Sequence, residues 1–87
     1  MQKMKAKKRV RFLRGIGLAH YEFLEKASQD GEMLYGVRIT LQTGHGKEQA
    51  ECYVTADRAA GEAFFARVEQ GGVTPCTLAE IADDQVF

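Results

Sequence analysis

The sequence predicts an α+β domain: an antiparallel meander of three or four strands followed by two C-terminal helices packed on one face of the sheet. Three observations carry this. Met33 to Gln42 alternates strictly, with Met33, Tyr35, Val37, Ile39 and Leu41 on one side and Leu34, Gly36, Arg38, Thr40 and Gln42 on the other. That is the period of a strand with one buried face. Turn chemistry flanks the run, as Ser28-Gln29-Asp30-Gly31 before it and Thr43-Gly44-His45-Gly46-Lys47 after it. Beyond Thr55 the apolar period lengthens to about 3.6, that of an amphipathic helix.

A chain of 87 residues makes one domain and buries only roughly 60–65% of its unfolded surface. One sheet face and its helical cover fit within that, whereas a deep catalytic cleft hardly does. The formal net charge is zero, yet Lys3, Lys5, Lys7, Lys8, Arg9, Arg11 and Arg14 stand together without an acid, leaving five cations against twelve acids in the remainder. Repulsion between neighbouring cations and the lack of bulky apolar groups predict a flexible basic arm over residues 1–9, with residues 10–87 as a single α+β domain.

In chain order, Val10 to Leu13 reads as a short leading strand weakened by Gly15 and Gly17. His20 to Ala27 alternates, placing Tyr21 and Phe23 opposite His20, Glu22, Leu24 and Lys26, and turns at Gly31 into the Met33 run. Glu48 to Thr55 sets Ala50, Cys52 and Val54 against Gln49, Glu51, Tyr53 and Thr55. The helix that follows carries Ala56, Ala59, Ala60, Ala63, Phe64, Phe65 and Val68 in a broad stripe, with Thr55 or Asp57 as N-cap and Gly71-Gly72 as C-cap. Pro75 reads as a break, and Thr77-Leu78-Ala79-Glu80 as the capping box of a terminal helix with Leu78, Ile81 and Ala82 turned inward, joined by Val86 or Phe87.

Val73-Thr74-Pro75-Cys76-Thr77-Leu78-Ala79-Glu80-Ile81-Ala82-Asp83-Asp84 resembles the ending of a family of short bacterial proteins. In that family a Tyr-Gly strand precedes a helix, a Val-Thr-Pro or Val-Ser-Pro break, and a terminal helix rich in Leu, Ile or Val and acids. Tyr35-Gly36-Val37 matches the strand element, and the resemblance covers about Tyr21 to Phe87. The family is itself a domain of unknown function, so the resemblance implies a fold and a small cytoplasmic bacterial protein, without an activity. The basic arm and the Gly44-His45-Gly46 loop depart from it.

The candidate sites follow from charge and pattern. Lys3, Lys5, Lys7, Lys8, Arg9, Arg11 and Arg14 could neutralise phosphates of a nucleic acid, although Phe12 is the only aromatic among them for base stacking. An anionic membrane surface, or docking on the chain's own acidic body, are the other uses of such charge. Leu24, Leu34 and Tyr53 on the sheet's second face form an apolar patch suited to a protein partner or a second copy. Glu80, Asp83 and Asp84 oppose the dipole at the end of the terminal helix, which predicts a cationic neighbour: Arg11, Arg14 or, as a protein contact, a basic surface on another molecule. Gly44-His45-Gly46-Lys47 lacks the phosphate-loop pattern, since Glu48 stands where Ser or Thr is required. His20, His45, Cys52 and Cys76 have no metal-ligand spacing, and the cysteines read as small buried hydrophobes.

No cofactor or metal is expected, and no set of nucleophile, base and oxyanion donor can be assembled, so the chain reads as non-enzymatic. No apolar run approaches the ~18 residues of a membrane span. Arg9, Arg11 and Arg14 interrupt what would be a signal's apolar core, and the expected location is the cytoplasm. The sequence thus predicts a small protein-binding or regulatory module, a homodimer among its forms, with nucleic-acid association through the arm as the alternative.

Overall fold

Alternation in four successive segments produces one antiparallel sheet in the order β1-β2-β3-β4, followed by two helices. A computed structural model describes residues 8–84, and the backbone alone at Ala79 and residues 81–84. The strands are β1 (Lys8–Leu13), β2 (Gly17–Ala27), β3 (Met33–Thr43) and β4 (Gly46–Thr55). The helices are α1 (Arg58–Gln70) and α2 (Pro75–Asp84). Each strand pairs with the next in sequence, as short connections favour.

Because strand side chains alternate between faces, the register sorts the sheet into two surfaces. Ala19, Tyr21 and Phe23 of β2 and Tyr35, Val37, Ile39 and Leu41 of β3 share one face, and Phe64, Phe65 and Val68 of α1 join them with Leu78 of α2 in one buried cluster. Phe23 stacks on Tyr35 with ring centroids 5.9 Å apart and meets Phe65 edge-on. The Arg58 guanidinium lies 5.6 Å and 5.7 Å from the Phe23 and Tyr35 ring centroids while pairing with Glu25 and Glu62. Tyr21 donates its hydroxyl hydrogen to the Val73 carbonyl at 2.9 Å, tying the sheet to the connection between the helices.

Several elements differ from the sequence expectation. Lys8 and Arg9, assigned to the arm, stand in β1 opposite Glu22 and Tyr21. The glycines that weakened this region instead build the turn into β2, with Gly15 at φ +76° and the Ile16 N–H bonded to the Leu13 carbonyl. Lys3, Lys5 and Lys7 lie outside the described residues. In α1 the buried stripe is Gly61, Phe64, Phe65 and Val68, whereas Ala59 and Ala63, like Ala56 before the helix, are exposed. Gly61 was invisible to an apolar pattern, yet its bare Cα is what admits Tyr35: a Cβ there would stand 2.6 Å from that of Tyr35.

The second helix begins at Pro75, two residues before the expected cap. Proline is well suited to a first helical position, where its fixed φ is helical and its missing N–H would find no intrahelical partner. Thr77 therefore sits inside the first turn, its N–H bonded to the Thr74 carbonyl. Leu78 faces inward as expected, whereas Cys76 is exposed, against the expectation of two buried cysteines. The side chains of Ile81 and Ala82, with Val86 and Phe87, lie outside the described residues.

Asp57, one of the two expected caps, holds the start of α1: its carboxylate accepts the Ala60 N–H at 3.1 Å, while Thr55 accepts the N–H of Asp57. Asp57→Ala is expected to cost about 1 kcal/mol, lowering Tm by roughly 4–8 °C in a thermal melt followed by circular dichroism. Thiol labelling gives a second check of the covered face. Burial pushes the Cys52 thiol above its ordinary range, and the Glu51 charge adds to the shift. In the native chain at mildly alkaline pH, Cys76 should be alkylated about tenfold faster than Cys52 or more, read by mass spectrometry. Equal rates would mean that the helices do not shield β4.

Candidate interaction surface

The second face of the sheet carries no helix among the described residues, and alternation places its side chains. The register sets Lys8, Val10 and Phe12 of β1 beside Leu18, His20, Glu22, Leu24 and Lys26 of β2. These continue into Leu34, Gly36, Arg38, Thr40 and Gln42 of β3, and Lys47, Gln49, Glu51 and Tyr53 of β4.

A row of alternating charge crosses this face from edge to edge. Lys8 Nζ lies 3.8 Å from Glu22, whose other oxygen is 3.2 Å from Arg38, and Arg38 Nε reaches Glu51 at 2.8 Å. The hydrogen bond to Glu51 raises the Arg38 pKa further, so its charge is permanent. Exposed pairs of this kind contribute little to stability, about 0–1 kcal/mol each. The row divides the face into two ends.

At one end stand Leu24, Leu34 and Tyr53, the patch expected from the sequence. Leu24 and Tyr53 flank Gly36, and Leu34 pairs with Lys26, whose Nζ lies 4.6 Å from the Tyr53 ring centroid. All three apolar residues are half-buried by their neighbours. A hollow of about 530 Å³ opens between Leu34, Tyr53 and residues 54–57.

The other end is more exposed. Val10 is 56% and Phe12 74% accessible, and Ile16, in the turn that follows, is 49%. Beside them runs a shallow groove of about 360 Å³ lined by Val10, His20, Thr40, Gln42 and Lys47, among others. Sequence reasoning did not single out Val10, Phe12 and Ile16 as exposed apolar surface. For Val10 and Phe12 the signal was present in Lys8-Arg9-Val10-Arg11-Phe12, where apolar residues alternate with cations.

The cations of β1 divide between the two faces of the sheet. Among those described, Lys8 points to the open face, while Arg9 and Arg11 point to the helix-side face. Arg11 meets Glu69 of α1 at 3.3 Å, a partner the dipole argument did not name. The fold places the last turn of α1 within reach of β1, a closeness no sequence spacing announces. Glu80 is exposed on α2, and the side chains of Asp83 and Asp84 lie outside the described residues.

His20 belongs to the open face and Cys52 to the covered one, and His45 is exposed at the tip of the β3–β4 hairpin, so these groups do not converge. That hairpin is closed by Thr43, whose hydroxyl accepts the His45 N–H and donates to the Gly46 carbonyl. Among the described residues no group of three or more His, Cys, Asp or Glu could hold a metal ion. No described helix is long and apolar enough to cross a membrane. Comparison with protein-family models, with curated proteins and with solved structures finds no match.

Proposed function

We propose that this chain is a small non-catalytic protein-binding module, regulatory in character and cytoplasmic. Both helices serve to cover one face of the sheet, and its other face and the β1 edge make the contact. The observation that carries this reading is the set of exposed apolar residues, Val10, Phe12 and Ile16, on and just after β1, whose outer edge has no partner strand among the described residues. Exposed apolar surface is costly to leave in water, and where it gathers it marks contact sites. The separation of His20 from Cys52, and the lack of a buried charged residue among those described, support a binding role over a catalytic one. The resemblance of the closing segment to a family of short bacterial proteins fits this reading and adds no activity to it.

Site-specific photocrosslinking in cells tests it, with the crosslinker at Phe12 on the open face and, separately, at Ala63 on the exposed side of α1. Discrete protein adducts are expected from position 12 and none from position 63. No adduct at position 12 would contradict the reading.

The single-sign charge of residues 1–14 favours a second reading, association with nucleic acid. With Arg9 and Arg11 on one face and Lys8 on the other, such binding would rest on phosphates and be strongly salt-dependent. Anisotropy of labelled single- and double-stranded RNA and DNA with the full chain decides it. Tight binding at low salt that is lost steeply as salt rises would replace the protein-binding reading.

A further inference from the structure

We propose that the outer edge of β1 accepts an extended, acidic segment of a partner protein as an added strand. This rests on the protein-binding reading above and specifies its partner. Within the described sheet β1 pairs only with β2. Alternate N–H and C=O groups along it therefore face outward, a template for another strand.

The side chains choose which strand. Directly opposed residues of an antiparallel pair share a face. On the helix side a new strand would meet Arg9 and Arg11, and on the open side Lys8, Val10 and Phe12. The complementary sequence therefore alternates acids with apolar residues, the acids meeting arginine and the apolar groups covering Val10 and Phe12. Arg11 keeps 42% side-chain exposure despite its contact with Glu69, so it remains reachable.

A second copy fits this edge poorly. Antiparallel pairing of β1 with itself about Val10 would set Arg9 against the Arg11 of the other copy, and like charges directly opposed are destabilising. Cations on an edge strand also discourage indiscriminate pairing. An acidic strand reverses that repulsion, so the charge that protects the edge also selects its partner.

The test uses the full chain and a labelled peptide alternating Glu and Val between glycine flanks, followed by anisotropy at low salt. Saturable binding is expected, with no binding of the Lys-Val counterpart. Arg9→Glu, at an exposed position, should weaken it about tenfold while the melt stays in place. A second measurement leaves the protein untouched: N-methylating alternate amides along one edge of the peptide should abolish binding, and methylating those of the other edge should spare it. Absence of saturable binding, equal binding of the two methylated peptides, or a chain that sediments as a dimer dispersed by Arg9→Glu would overturn the proposal. If the peptide fails while position 12 still forms protein adducts, only the acidic-strand proposal falls. If both fail, the protein-binding reading falls with it.

Discussion

Phe64→Ala is expected to lower Tm by at least ~12 °C, or to leave the chain unfolded, because a large-to-small change at a buried phenylalanine costs about 3–5 kcal/mol. Phe64 is 1% exposed and stands in the cluster that joins α1 to β2 and β3. A domain this small has little surplus stability to absorb the loss. Thermal and urea melts monitored by circular dichroism read the effect. A cooperative melt within a few degrees of wild type would mean that α1 presents a different side to the sheet.

Gly36→Ala should be nearly as damaging, for a reason that involves backbone and no lost contact. A Cβ at Gly36 would overlap the Cys52 carbonyl oxygen and stand 2.7 Å from the Tyr53 Cα. The register shifts at this point, Tyr35 pairing with Thr55 and Gly36 with Tyr53, so that Val54 has no opposite residue and β4 comes close over β3. A side chain here must push β4 away. We expect a cost of roughly 3 kcal/mol, at the upper end of overpacking. Gly44→Ala is the matched control, since nothing lies within 4 Å of a Cβ there and its φ is not positive. That variant should stay within about 0.5 kcal/mol of wild type. If the two variants melt alike, the close approach at Gly36 is wrong.

What could be read from the sequence depended on how regular the local pattern was. Met33 to Gln42 alternates without interruption, and it became an interior strand with the predicted buried side, only Met33 at its start being exposed. β1 was harder to read, because strings of cations suggest a solvated arm. In an edge strand, however, exposed cations are what discourage aggregation. Gly61 gave no signal because it packs by lacking a side chain, and Pro75, expected as a break ahead of the terminal helix, is the residue that begins it.

The candidate surface was legible at one end only. Leu24, Leu34 and Tyr53 could be assigned to a shared face from alternation within three strands. Val10, Phe12 and Ile16 required knowing that β1 lies at the edge and that no described helix covers it. The pairing of Arg11 with Glu69 joins residues far apart in sequence, so charge counting could foresee a cationic contact but not its partner.

Residue-resolved amide exchange along β1, in the full chain alone and with the Glu-Val peptide, reads whether the edge is open and whether it takes up a strand. Alone, every second amide of β1 should exchange rapidly while those of interior β3 remain protected; with the peptide, the same β1 amides should become protected. A β1 already protected throughout, or a peptide that leaves its outward amides unchanged, would contradict an open edge that receives a partner strand.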